Sequence, residues 1–400
     1  MIDASAGVRA ARLRRIAAVE IARHREAKGF LGAALEGSLA TGAVWPTSDV
    51  DFTIVPRPGY SKEHLVEWEQ REGLPFLKEH TDQRIHIDVC GQREGIPWHK
   101  HITDPRALLD LVEGYPGSFI RPAVGPFNPG AHWFLDGLAV MDVIDDPEGL
   151  LGETRHFVAA RRFAAEVWEG RRFALLQQLR RQRDLAHEAI ERGEADAAYQ
   201  LLSGDAGFVA VAVQLWLEGA GQISSRKEQD GRLAEVTAAA GCPAAHALYR
   251  RTLAVEPERA RAIAPLLLRL GERAAPLYHL MGTLPPEDPE RRRDAAVWGA
   301  YVSHLAGTLS LAPGRGHPAY VYQSLRSILH WAIEYPGRVI GELGEKGVSG
   351  VQPLTQHASE VAGLAEQIPA ILLDPRQAVD RAQACLAAAD QLVDLTEARL

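Results

Sequence analysis

Gly37-Ser38, ten further residues, and then Asp49-Val50-Asp51 running directly into Phe52-Thr53-Ile54-Val55 is the stretch that most constrains this chain. The segment from Asp49 to Val55 reads as a strand stopped by Pro56, Pro58 and Gly59. Side chains alternate along a strand with period two, so Asp49 and Asp51 project from one face and reach a common point. Magnesium takes hard oxygen ligands, commonly one or two carboxylates completed by water and nucleotide phosphate. The Gly-Ser turn upstream offers backbone N–H groups and a hydroxyl to the same phosphates. These residue types in this order predict a nucleotide and metal site.

The neighbouring segments supply a sheet to carry it. A helix over Arg9 to Ala27, ended by Gly29, precedes a short strand from Phe30 to Glu36. Ala40 to Val44 reads as a helical turn, and Ser61 as the N-cap of a helix that runs to Glu72. A third strand over Arg84 to Cys90 sets Ile85, Ile87 and Val89 on one side and His86, Asp88 and Cys90 on the other. Residues 91–130 hold Pro97, Pro105, Pro116, Pro122, Pro126 and Pro129 and read as largely irregular. Leu138 to Ile144 reads as a fourth strand, followed by a helix from Glu153 to Val167. Beyond residue 150, Ala, Leu, Arg and Glu recur at three-to-four spacing almost to the C-terminus. The expected class is α+β: a small mixed sheet with its helices over residues 1–150, then an all-α region over residues 151–400.

Charge and cysteine content narrow the function classes. A net charge of −8 speaks against a protein wrapped around a polyphosphate backbone, so nucleic acid is not the expected partner. Cys90, Cys242 and Cys385 are far apart and odd in number, which fits a reducing compartment without a disulfide framework. The first helix carries Arg9, Arg12, Arg14, Arg15, Arg23 and Arg25 but lacks the apolar stretch of a secretory signal, and Glu20 and Glu26 weigh against a transit peptide. No uninterrupted apolar run of membrane-spanning length occurs. A cytoplasmic location is expected, and a homo-oligomer stays open.

The Gly37-Ser38 turn, the Asp49-Val50-Asp51 strand and a later strand bearing Asp88 together resemble the nucleotidyltransferase superfamily typified by DNA polymerase beta. Within it, the resemblance is to small-molecule members such as aminoglycoside and lincosamide nucleotidyltransferases. The resemblance implies an N-terminal nucleotidyltransferase-fold domain and a helical bundle that closes the acceptor cleft. It implies that Asp49, Asp51 and Asp88 bind magnesium at a two-ion site and that Gly37 and Ser38 hold the phosphates. Ser48, at the head of the carboxylate strand, joins the nucleotide-binding set, and Arg226 and Lys227 at a helix start are expected to meet the triphosphate. The implied reaction moves a nucleoside monophosphate, AMP from ATP in the first instance, to a hydroxyl of a small-molecule acceptor and releases pyrophosphate. The acceptor is an antibiotic or a metabolite. The spacer carries Leu39 and Thr41 where family members often place an arginine.

A base for the acceptor hydroxyl is not legible; Glu166, Asp184 and Glu188 are candidates, each also explained by a solvated helix face. His99, His101 and Asp104 have metal-ligand chemistry but read as an exposed loop. Arg181 and His187 match a ribonuclease spacing that Arg-rich helices produce commonly, and Gly314-Arg315-Gly316 follows no strand. Trp216, Trp298 and Trp331 read as core. Two rivals remain: nucleotidyl transfer to a protein or RNA, and a non-catalytic nucleotide-binding scaffold.

Overall fold

A computed structural model describes residues 4–25, 30–57, 76–79, 86–94, 96–103, 105–120, 130–204, 207–223, 225–284, 289–348 and 351–399. The chain is α+β and divides into two compact units. The first comprises Met1–Arg121, Gly130–Val167 and Pro289–Ala300, and the second comprises Pro122–Pro129, Trp168–Asp288 and Tyr301–Leu400.

The first unit is built on a six-stranded mixed sheet. Its strands are β1 (Phe30–Leu35), β2 (Val50–Pro56), β3 (Phe76–Glu79), β4 (His86–Arg93), β5 (Ile96–Thr103) and β6 (Asp142–Asp145). They lie in the order β3-β4-β5-β2-β1-β6, with β2 and β5 parallel and the other neighbours antiparallel. Pleating gives the sheet two faces with different jobs. Val50, Phe52 and Ile54 of β2 point one way, with Ala33 and Leu35 of β1 and Trp98 and Ile102 of β5, and all are buried. The first helix, α1 (Ala4–Arg25), covers this face with the stripe Leu13, Ile16, Ala17 and Ile21, spaced three to four apart as an amphipathic helix requires.

The arginines of α1 are matched within the protein. Arg12 and Arg15 pair with Glu94, Arg14 with Asp142 and Arg25 with Asp145, while Arg93 of β4 reaches the buried Glu20 of the helix. On the opposite face, Ala34 and Val55 pack under Leu108, Leu135, Leu138, Leu151 and Val158 from helices α3 (Pro105–Glu113), α5 (Gly130–Val140) and α6 (Leu150–Arg161), α4 being Gly117–Ile120. Toward the start of β2 the same face carries the polar residues Asp51 and Thr53.

Three expectations change at this level. Residues 91–130 are not largely irregular: β5 and two helices form there, and β5 lies directly beside β2. Ile96, Trp98 and Ile102 do alternate, but Pro97 and the buried Lys100 within the run obscure the period. Leu138 to Ile144 is not one strand, since α5 runs to Val140 and only Asp142–Asp145 pairs with β1. The short helix α2 (Gly37–Thr41) starts at the Gly-Ser pair rather than after it. The helix expected from Ser61 to Glu72 lies outside the described residues.

Among the described residues the second unit is helical throughout. Its core contains a buried ion pair between Arg171 and Glu218, whose Arg171 Nη2 to Glu218 Oε1 contact is 2.8 Å. Trp216 is buried and donates its indole N–H to Thr396, as expected for a core tryptophan, whereas Trp331, and Trp298 of the first unit, are only half-buried. Cys385 is buried, which pushes its thiol up to about 12 and leaves it unreactive. The stretch Ala195–Gly219 is apolar and long enough to cross a membrane by composition, yet 69% of that window is buried inside the protein, as in a core helix.

Asp230, at 2% exposure, accepts hydrogen bonds from His246 at 2.8 Å and from Arg250 at 3.0 and 2.7 Å. Burial pushes its carboxyl up, but the His246 and Arg250 hydrogen bonds and charges outweigh it and hold the group below the ordinary carboxylate range. A depressed folded-state pKa stabilises the fold above the unfolded value, and that contribution is lost as pH falls through the folded value. Urea unfolding followed from neutral pH down through the carboxylate range is therefore expected to show a steeper loss of stability for the wild type than for Asp230→Asn.

Candidate active site

The polar end of the second sheet face is assembled by strand register. Glu36 N–H donates to the carbonyl of Asp51 at 2.9 Å, which sets the end of β1 against the start of β2. On the other side Asp51 is in register with His99 of β5, and His99 with Cys90 of β4. One row across the sheet thus runs Glu36, Asp51, His99, Cys90, and the next runs Ala34, Thr53, His101, Asp88. Asp49 precedes β2 by one residue, and its Oδ2 lies 3.9 Å from His99 Nε2. Asp49 and Asp51 are both half-buried.

Gly37 packs against Asp51. The backbone of Gly37 has φ +57°, in the left-handed region, and a Cβ built on it would lie 2.2 Å from Asp51 Oδ2. Only glycine accepts that conformation cheaply, and only the absence of a side chain leaves room for the carboxylate. The adjacent Ser38 is 5% exposed, and its hydroxyl is enclosed without a hydrogen-bond partner. A buried hydroxyl in that state carries a desolvation cost of about 1–3 kcal/mol that a bound acceptor oxygen would relieve.

No family model matches this chain, and no curated protein matches it.

A buried network underlies the carboxylate pair. Glu36, 6% exposed, accepts a hydrogen bond from Thr53 Oγ1 at 2.5 Å, and its other oxygen lies 2.6 Å from His101 Nδ1. Such a network holds one geometry because each member is satisfied by the others. Arg9, reaching across from α1, donates to the Ser48 carbonyl at 3.2 and 2.7 Å. Burial and the neighbouring Arg12 lower the pKa of Arg9, and the charge of Asp49 opposes them. A guanidinium stays cationic in a protein, so Asp49 feels a positive charge that comes from α1 rather than from the spacer.

The remaining expected site residues fall in different places. Ser48 is 1% exposed and accepts the Trp45 N–H through its hydroxyl at 2.8 Å, so it fixes the loop that presents Asp49 rather than facing a nucleotide. The backbone of Asp88 stands in the row of Thr53 and His101, two strands from β2 and so roughly 10 Å across the sheet. Its side chain lies outside the described residues. Arg226 and Lys227 form a single 3₁₀ turn, Arg226–Glu228, in the helical unit.

His99 and His101 were expected in an exposed loop. They sit instead on β5 next to the carboxylate strand, with His101 at 5% exposure; Asp104 lies outside the described residues. The candidate bases are tied into surface contacts: Glu166 accepts from Tyr115, Asp184 pairs with Arg183, and Glu188 lies near Arg192. His187 pairs with Asp390, a surface contact that accounts for its place on the helix.

Among the described residues no group of three or more His, Cys, Asp or Glu side chains is placed to hold a metal ion together. The donor set that is present consists of two neighbouring carboxylates with an unpartnered hydroxyl on the adjoining turn. Hard oxygen donors in that number fit magnesium, which commonly takes one or two carboxylates and completes its shell with water and phosphate.

Proposed function

We propose that this protein transfers a nucleoside monophosphate, AMP from ATP in the first instance, to a hydroxyl of a small-molecule acceptor, with loss of pyrophosphate. The observation that carries the reading is the packing of Gly37 against Asp51, which joins the two halves of the Gly-Ser and Asp-x-Asp pattern in one place. An N-terminal nucleotidyltransferase-like domain and a helical acceptor-binding region belong to the same proposal.

In this reading Asp49, Asp51 and Asp88 would together hold magnesium at a two-ion site. When bound, divalent ions stabilise the charge that builds on the phosphoryl oxygens during displacement. The protein's own part is placement. Gly37 lets the backbone approach without a side chain, and Ser38 has a free hydroxyl to give to a phosphate oxygen. The Glu36, Thr53 and His101 network keeps the neighbouring wall rigid. Arg9 offsets part of the carboxylates' negative charge, which otherwise opposes approach of a triphosphate.

Incubation with magnesium, each nucleoside triphosphate and a panel of amino sugars, lincosamides and metabolites, read by mass spectrometry, tests the activity. A nucleotidyl adduct with a small acceptor supports it. Adducts on protein or RNA alone would move the reading to macromolecular modification, and nucleotide binding without pyrophosphate release would leave a scaffold.

Ser38→Ala separates binding from folding. Removing a hydroxyl that has no partner is expected to leave the melting temperature unchanged or slightly raised. Loss of its hydrogen bond to phosphate is expected to raise the KM for nucleotide by about 1.5 kcal/mol, roughly tenfold.

A further inference from the structure

The helical unit contains a cavity of about 360 Å³, a size usual for small-molecule sites. Its lining is apolar at Leu325, Leu329, Pro369 and Leu373 and polar at Arg381 and Gln323. Gln323 is 7% exposed, and its side-chain amide is among the polar groups on the lining.

Arg381 is held in a fixed pose. Its guanidinium stacks over the Tyr199 ring at 5.4 Å, and Nη1 donates to the Asp374 carbonyl at 3.1 Å. Its Nε is enclosed without a partner, and Nη2 has only a loose contact at 3.9 Å with Asp196, whose side chain is 84% exposed. The side chain of Arg381 itself is 11% exposed. The lining carries two guanidiniums: Arg326 is held by Glu334, with Nη2 to Oε2 at 3.0 Å, which leaves Arg381 as the under-satisfied cation, while the carboxylates of Asp196 and Glu366 stand exposed on the same lining.

We propose that this cavity binds a small organic monocarboxylate with an apolar body. The carboxylate meets Arg381, the body packs on Leu325, Leu329 and Leu373, and a polar substituent pairs with Gln323. A single negative charge matches the one guanidinium not already held by a carboxylate, Arg381, whereas a dianionic phosphate ester would also face Asp196 and Glu366. The assignment does not depend on the nucleotidyl-transfer reading.

Calorimetric titration of the full chain with 4-phenylbutyrate, hexanoate and 1-naphthoate, each against its primary amide, tests the proposal. The acids are expected to bind at least roughly tenfold more tightly than their amides, a charge-assisted hydrogen bond being the difference. Arg381→Met is expected to erase that preference. Gln323→Leu is expected to keep it while abolishing any gain from a hydroxyl on the phenyl ring. Equal affinity for acid and amide, tighter binding of phenyl phosphate than of the acids, or no binding of any probe at millimolar concentration would each overturn the proposal. If Arg381→Met fails to fold in a melting experiment, the acid and amide comparison on the wild type and the Gln323→Leu variant decide the matter alone.

Discussion

Asp51→Asn is expected to abolish nucleotidyl transfer while the protein keeps its fold. The substitution preserves size and shape but removes one of two neighbouring negative charges. An asparagine cannot replace a carboxylate as a magnesium ligand of comparable strength. Charge stabilisation by the ion is worth several kcal/mol, so the rate should fall by roughly 10³-fold or more. The half-buried Asp51 stands near the start of a central strand, on the face opposite the Phe52 and Trp98 core, so the melting temperature should move little. Circular dichroism and a pyrophosphate-release assay on the same preparation check both halves. Turnover at the wild-type rate would remove the metal assignment.

Gly37→Ala is expected to damage the same site by a different route. A methyl group at this position would meet Asp51 Oδ2 at 2.2 Å, a separation no pair of atoms tolerates without moving. The backbone would have to leave φ +57° or accept about 1–2 kcal/mol of left-handed strain, and the carboxylate would have to withdraw. A displacement near 1 Å at a reacting centre costs roughly 10²-fold in rate. Transfer should therefore drop by about that factor, with a modest fall in melting temperature. Gly42→Ala provides the comparison. It also has a positive φ, of 74°, but a Cβ there meets nothing within 4 Å, so it should show the strain without the loss of activity.

What the residues reveal in order, and what they do not, follows from the range of the interactions. The α1 stripe and the β2 strand were legible because periodicity is a local property, readable from Leu13, Ile16 and Ile21 or from Phe52 and Ile54 alone. The proximity of Gly37 to Asp51 was legible only as a pattern, since their contact spans a turn and a loop. β5 went unread because a proline and a buried lysine interrupt an alternation that Ile96, Trp98 and Ile102 otherwise keep, and because Pro-rich surroundings suggested a loop. Its reading would have brought His99 and His101 to the site. Glu36 looked like the last residue of a strand, and nothing local marks its partners, which come from Thr53 and His101. Arg9 belongs to the same class: a charge on an amphipathic helix gives no sign of which loop it will hold. The row of Asp88 depends on the pairing of β4 with β5, a long-range property invisible in alternation.

Calorimetric titration of ATP into the protein, with and without magnesium and with Asp51→Asn alongside, tests the central claim without requiring the acceptor. ATP is expected to bind the wild type when magnesium is present, and to lose most of that affinity when the ion is chelated or Asp51 is replaced. Equal binding under all three conditions, or none under any, would contradict the account.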